Sequence, residues 1–234
     1  MQLFYTPSLT PESQSFVFDK KESAHIVKVL RKSAGETLQV TNGKGNLFTA
    51  QITTANPNRC AVEMVACQTL PPLPYTLHMA VAPTKRNERM EWFLEKATEI
   101  GITEITPLIC ARSERKKINL KRYQRILQSA MKQSLQVYLP KLNEPVDYAL
   151  FLAQNSGEQK FIAHCEDTQK KPFKDAIQPE LPLVILIGPE GDFSPEEIEA
   201  ALQHQYRPVS LGAHRLRTET AALAACHTVS LFLG

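Results

Sequence analysis

Two glycine-bearing segments in the carboxyl-terminal part of the chain hold the residues best suited to a ligand site. The first, Gly188-Pro189-Glu190-Gly191, directly follows the apolar stretch Leu183-Val184-Ile185-Leu186-Ile187. The second runs Leu211-Gly212-Ala213-His214-Arg215-Leu216-Arg217-Thr218-Glu219-Thr220. In an open parallel sheet, ligands bind just beyond the carboxyl ends of strands. Glycine at such an end lets backbone approach a ligand closely, and proline stiffens its loop. Neither segment matches Gly-x-Gly-x-x-Gly or a P-loop, so a dinucleotide or a triphosphate is a poor fit. Taken by itself, Gly-Pro-Glu-Gly also reads as a plain turn leading into a capped helix.

Phosphate binding is the second chemistry on offer. The net charge is only +3, but the cations are grouped. Arg112, Arg115, Lys116, Lys117, Lys121, Arg122 and Arg125 face the single acid Glu114. Lys20, Lys21, Lys28, Arg31 and Lys32 surround His25, and Lys85, Arg86 and Arg89 form a third group. Each cluster alone also fits a solvated helix face, whereas three in one small protein favour nucleic acid. The five cysteines are odd in number and form no Cys-x-x-Cys pair, which argues against a zinc ribbon or a disulfide framework. They are expected to be plain buried thiols, and no metal is expected. The stretch from Met1 to Pro7 has no basic start followed by an apolar run, and no stretch approaches the ~18 apolar residues of a membrane span. The expected compartment is the cytosol.

The elements that must position these residues fall into two groups. Residues 1–70 read as short strands separated by turns. Thr37 to Thr41 alternates, Asn42-Gly43-Lys44-Gly45 turns, Leu47 to Ile52 returns, and Cys60 to Val65 follows Asn56-Pro57-Asn58. That pattern is the mark of a small sandwich or barrel. Ile26, Val29 and Leu30 recur at helical spacing and predict one short helix carrying His25, Lys28 and Arg31. Leu70-Pro71-Pro72-Leu73-Pro74 is a linker. Residues 73–234 then alternate strands and helices, which predicts an α/β domain with a mainly parallel sheet. Asn87 is a cap candidate for a helix with Met90, Phe93, Leu94, Ala97 and Ile100 on its apolar stripe, ended by Gly101. A second helix places Leu120, Tyr123, Leu127, Ala130 and Ser134 on one face. Ser194-Pro195-Glu196-Glu197 reads as a capping box with proline at the first helical position. The helix from about Thr218 is apolar nearly all round and is expected to be buried.

The pairing of Ile187-Gly188-Pro189-Glu190-Gly191-Asp192-Phe193-Ser194 with Leu211-Gly212 and Leu216-Arg217-Thr218-Glu219-Thr220-Ala221 resembles the bacterial 16S ribosomal RNA uridine-N3 methyltransferases of the SPOUT superfamily. The resemblance continues in Glu95-Lys96-Ala97-Thr98-Glu99-Ile100-Gly101, Ile105-Thr106-Pro107, Arg112-Ser113-Glu114-Arg115 and Gln133-Ser134. It reaches the amino-terminal region at His25, Val29-Leu30-Arg31, Gly35 and Gly43. It departs at Asp192, where the family commonly has a second glycine. It departs again in Lys132-Gln133-Ser134-Leu135-Gln136, where the family often reads Glu-Gln-x-Gly-Arg.

The resemblance implies a PUA-like β-barrel over 1–70 and a trefoil-knotted methyltransferase domain over 73–234 that binds S-adenosylmethionine. The cofactor, in a bent form and without a metal ion, is expected between Ile187, Gly188, Pro189, Glu190 and Gly191 on one side and Leu211, Gly212, Leu216, Arg217, Thr218, Thr220 and Ala221 on the other. Uracil N3 carries a proton at neutral pH, so methylation needs a proton acceptor and a cation for the resulting anion. Arg217 is the expected stabiliser, with Glu190 and Glu219 as carboxylates that accept the proton or orient Arg217. Glu219 equally reads as a helix-start acid favoured by the dipole; His164 and His214 are weaker candidates. His25, Arg31, Arg112 and Arg115 are the expected RNA contacts. The implied partners are 16S ribosomal RNA in the 30S subunit and a second copy of the chain. The competing reading is a non-catalytic RNA-binding or ribosome-assembly factor on the same fold.

Overall fold

The computed structural model describes residues 2–155 and 158–234, which pack as two compact units. The first comprises Met1–Pro72 with Met131–Leu139, and the second Leu73–Ala130 with Pro140–Gly234. The division falls inside the proline-rich linker. Residues 131–139, expected with the second domain, pack with the first unit. The reading of the chain start falls partly on Met1, outside the described residues.

The first unit is a five-stranded sheet in the order β1-β3-β4-β5-β2. Its strands are β1 (Leu3–Tyr5), β2 (Ser15–Val17), β3 (Thr37–Thr41), β4 (Asn46–Thr54) and β5 (Ala61–Thr69), with helix α1 (Lys20–Ala24) between β2 and β3. Only β1 and β3 pair in parallel. The β3–β4 hairpin closes on Asn42, whose Oδ1 accepts the amides of Lys44 and Asn46. At Gly43 the backbone is left-handed, and an added Cβ would lie 2.8 Å from the Tyr5 ring, so only glycine fits. Alternation along β4 sends Phe48, Ala50 and Ile52 into a core shared with Phe4, Phe18, Ile26, Val40 and Val62.

The short helix differs from its expectation. Asp19 caps α1, but at His25–Val29 the chain widens into a π-helical turn, with Leu30 N donating to His25 O. That extra residue per turn rotates Val29 outward, to 66% exposure, while Ile26 stays buried. Arg31 lies beyond the helix in a left-handed conformation, φ 56°.

In the second unit the strands are β6 (Leu77–Val81), β7 (Glu104–Ile109), β8 (Lys141–Leu142), β9 (Val146–Asp147), β10 (Gln159–Ala163), β11 (Lys171–Pro172), β12 (Leu183–Ile187) and β13 (Arg207–Ser210). The helices are α2 (Asn87–Ile100), α3 (Leu120–Gln133), α4 (Tyr148–Gln154), α5 (Phe173–Ala176), α6 (Pro195–Gln203) and α7 (Thr218–Leu233). The sheet runs β11-β13-β10-β12-β6-β7-β8, with β9 also on β7, and every pair is parallel. The apolar run of β12 lies at its centre, buried at all five positions between β10 and β6. Register brings the last residues of three strands side by side: Ala163, Ile187 and Val81. Val209 of β13 stands opposite Ala163. The loops after β10, β12 and β13 therefore leave the sheet at one edge.

Helix ends follow local chemistry, with exceptions. Ser194 caps α6 in a complete capping box with Pro195 at the start, and Gly101 ends α2 at φ 119°. Asn87 is not a cap. Arg86 occupies that position, and the Asn87 amide instead donates to Glu91 one turn on. On α3, Tyr123, Leu127 and Ala130 are buried as the spacing predicts, and Ser134 falls beyond the helix end. Helix α7 is not fully buried. It packs on α2 and the sheet through Ala222, Ala225, Cys226 and Val229, whereas Leu231 and Phe232 are 66% and 54% exposed. The sheet and α2 cover one side of α7 and leave the side bearing Leu231 and Phe232 open. Two cysteines also depart from expectation. Cys60, Cys110 and Cys226 are buried, but Cys67 points outward near the end of β5 and Cys165 sits in the loop after β10.

Candidate functional site

Two adjoining cavities, of about 240 and 280 Å³, open at the strand edge where β10, β12 and β13 end. They share Ala163, Cys165, Arg215, Leu216 and Ala221. Leu211 and Gly212 line the first; Ile187, Gly188, Pro189, Glu190, Arg217 and Thr218 line the second. The two segments singled out in the sequence are thus brought together by strand register.

Each loop is held by identifiable contacts. Thr218, buried at the start of α7, donates its hydroxyl to Gly188 O at 3.0 Å and ties the two segments directly. Gly188 is glycine for a packing reason, because an added Cβ would lie 3.1 Å from two atoms of the buried Phe193 ring. Gly212 differs: its φ is 150° and nothing lies within 4 Å of an added Cβ. It faces open space, the requirement for close ligand approach. Asp192 adopts φ 62°, a left-handed position that favours glycine and tolerates aspartate. Its carboxylate accepts from Cys165 N at 2.8 Å and from Phe193 N at 2.9 Å, joining the β10 and β12 loops. Aspartate thus stands in a conformation that glycine adopts freely, and its carboxylate adds a cross-link.

The charged candidates separate. Arg217, at the cap position of α7, is exposed, lines the second cavity and makes no side-chain hydrogen bond or ion pair among the described residues. Glu190 lines the same cavity, with one carboxylate oxygen accepting from Lys85 N at 2.9 Å. Glu219 does not line it. It is 7% exposed, lies 3.6 Å from Arg89 Nε rather than beside Arg217, and its Oε2 has no partner among the described residues. Thr220 is exposed, and Gly191 is exposed beside the stem of Arg112; neither lines a cavity.

Arg112 and Arg115 are engaged with backbone. Arg112 Nη1 donates to Gly191 O at 2.9 Å and Phe193 O at 3.2 Å. Arg115 donates to Thr84 O at 3.1 Å and Lys85 O at 2.7 Å. Arg122 pairs with Glu91 and Lys85 with Glu114. Much of the charge counted as a phosphate footprint is therefore used internally. In the first unit, His25 is half-buried, 2.7 Å from the Gln2 amide and edge-on to Phe4, while Arg31 is exposed.

Sequence reasoning missed the contribution of β10, apart from naming His164 as a weaker candidate. Ala163, His164 and Cys165 line the site because β10 pairs with β12, and a parallel partner leaves no local signal. His164 is buried, its Nδ1 has no partner among the described residues, and burial pushes its pKa down, with Lys170 adding to the effect. Lys170, Ser210, Ala213, His214 and Arg215 complete the wall. Among the described residues no group of three or more His, Cys, Asp or Glu side chains is arranged to hold a metal ion.

The site and fold have close counterparts among known proteins. Ribosomal RNA small subunit methyltransferase E of Synechocystis is 31% identical over 216 residues, covering 89% of this chain and 70% of that protein. A crystal structure from Porphyromonas gingivalis, described as a "probable rRNA-methyltransferase", is 38% identical with a TM-score of 0.93, covering 99% of this chain and 98% of that one. Ribosomal RNA small subunit methyltransferase E of Neisseria gonorrhoeae, solved bound to S-adenosyl methionine, is 28% identical with a TM-score of 0.87, covering 100% of this chain and 98% of that one. The RNA methyltransferase PUA domain model matches residues 18–65, on the small sheet. The RNA methyltransferase domain model matches residues 71–230, a span that contains every loop of the site, and the chain belongs to this RNA methyltransferase family.

Proposed function

We propose that this chain is an S-adenosylmethionine-dependent methyltransferase acting on N3 of a uridine in 16S ribosomal RNA of the small subunit. The observation that carries the reading is the convergence of the Gly188 and Gly212 loops on one glycine-edged, partly apolar cleft in a member of this family. The cleft suits the cofactor. Leu211, Leu216, Val209 and Ala221 offer apolar walls for adenine, and the open face of Gly212 admits close contact. The unpartnered Nδ1 of buried His164 marks a polar group left without a partner at the same wall. Bound there, S-adenosylmethionine supplies an activated methyl group and departs as a neutral thioether.

The chain's own residues must then orient the base, remove its N3 proton and hold the anion that results. Alignment of nucleophile and methyl carbon supplies most of the acceleration in such a transfer. Arg217, permanently charged and unpaired at the cavity, is placed to stabilise the anion. Glu190 is the lining carboxylate placed to accept the proton. Glu219, buried off the cavity against Arg89, is the acid in the first turn of α7, where the helix dipole favours it. A stacked base cannot reach such a cleft, so the target is unpaired or flipped out. For RNA affinity we assign Arg31 and the lysines at 116, 117 and 121, which make no ion pair among the described residues, together with His25, whose ring nitrogen already meets the Gln2 amide. The trefoil knot and a homodimer through α7 belong to the same proposal, the latter motivated by the exposed Leu231 and Phe232.

Calorimetric titration with S-adenosylmethionine, followed by transfer of labelled methyl to 30S particles, tests the reading. Saturable binding and label in 16S RNA are expected. RNA binding with no measurable cofactor affinity would establish a non-catalytic assembly factor instead.

A further inference from the structure

We propose that Arg112 is a positioning residue for the cofactor, holding the loop after β12 in its ligand-ready conformation. The proposal rests on the reading of the paired cavities as the S-adenosylmethionine site. Arg112 sits in a tight turn after β7, where Cys110 N donates to Ser113 Oγ and Ser113 N to Cys110 O, both at 3.0 Å. That turn is fastened to α6: Ala111 N donates at 2.7 Å to Glu197 Oε1, while the other oxygen of Glu197 completes the capping box with Ser194. From this fixed base the guanidinium reaches Gly191 O and Phe193 O. Its stem lies beside Gly191, where an added Cβ would touch Arg112 Cβ and Cδ at 3.4 and 3.5 Å.

The residue between those two carbonyls is Asp192, which binds the same loop to Cys165 N on the β10 side. The Gly188 to Phe193 loop is thus pinned from both flanks, by Arg112 from the β7 side and by Asp192 from the β10 side. Gly188, Pro189 and Glu190, which line the cavity, lie between these fastenings and the end of β12, where Thr218 holds Gly188 O. A loop ordered only on binding would subtract its entropy from the affinity, and one ordered beforehand does not. Both bonds leave one nitrogen, Nη1, which stands farther from the backbone than a lysine ammonium reaches and is aimed by the planar guanidinium, so lysine is a poor substitute.

Full-length Arg112→Gln and Arg112→Lys are to be compared with wild type by calorimetry with S-adenosylmethionine, by binding to 30S particles, and by steady-state methylation. Lys174→Gln, at an exposed position on α5 away from the assigned contacts, serves as a charge control. For Arg112→Gln the cofactor Kd and KM are expected to rise about tenfold or more, the loss of charge-assisted hydrogen bonds. Arg112→Lys should recover little of this. The kcat at saturating cofactor and the affinity for 30S particles should stay near wild type. Should the glutamine variant fail to fold, the lysine variant decides. Unchanged cofactor Kd in the folded variants overturns the inference, and a selective loss of 30S affinity does so by making Arg112 a phosphate contact. A wild-type protein that fails to bind S-adenosylmethionine removes the reading of the cavity itself.

Discussion

At the scale of single residues, glycines that look alike in the sequence serve different ends. Gly188 makes room for the Phe193 ring, Gly191 lies beside the Arg112 stem, and Gly212 faces open space at a φ that side-chain-bearing residues rarely adopt. Only Gly212 is therefore expected to behave as a ligand-facing glycine. Gly212→Val should raise the Kd for S-adenosylmethionine by about a hundredfold, since it fills that space and strains the backbone. Because the position is exposed in a loop, the loss of stability should be confined to that backbone strain, about 1–3 kcal/mol, and the variant should still fold. Normal binding by this variant in a calorimetric titration would place the pocket elsewhere. The cavity residues on the Gly188 and Gly212 loops were legible because motif and strand-end position coincide. Arg112 was legible as charge but not as role: a guanidinium on carbonyls and one on phosphate have the same sequence signature. Ala163 and Cys165 were not legible, and His164 stood only as a weaker candidate, because their place depends on which strand β10 pairs with.

At the scale of elements, local rules succeeded where the deciding contacts are local. The Ser194 capping box and the Gly101 helix end involve residues three or four apart, and both stand as read. The π-helical turn at His25 and the half-covered α7 depend on packing, and the 3.6-residue period did not reveal them. Helix α3 offers a clean test of local energetics. Gln136 N donates to Met131 O and Leu135 N to Lys132 O, a helix end that requires a left-handed residue at position 135. Here that residue is leucine at φ 59°, where the resembling family often has glycine. Leu135→Gly should stabilise the protein by about 1 kcal/mol, because relief of left-handed strain outweighs the small burial lost from a side chain 43% exposed. Urea unfolding checks this, and a lower midpoint would show that the leucine contributes a contact worth more than the strain.

At the scale of the whole molecule, stability should depend on pH through two histidines, the half-buried His78 and the buried His164. Burial holds the pKa of His78 below its ordinary value near 6.5, opposed by Glu104 and assisted by Lys141. Burial does the same at His164. Both fold in the neutral form, so the unfolded chain takes up protons first as pH falls. Stability is full above about pH 6.5 and should decline below it, as proton uptake by the unfolded state pulls the equilibrium. Thermal melts from pH 8 to 5 read this directly, and a melting temperature that holds flat from pH 6.5 to 5 contradicts it. The exposed Leu231 and Phe232 on α7 carry the dimer proposal. Light scattering should return twice the chain mass at micromolar concentration, and a monomer there counts against it.

The account stands or falls on what reaches the cleft beside Gly188, Gly212 and Arg217. The most direct measurement is mass spectrometry of 16S RNA from cells lacking this gene, with and without a restored copy. The account predicts that one 3-methyluridine disappears from 16S RNA on deletion, returns with the wild-type copy, and fails to return with Gly212→Val. Persistence of that nucleoside at full level, in cells with no other enzyme able to make it, would contradict the account.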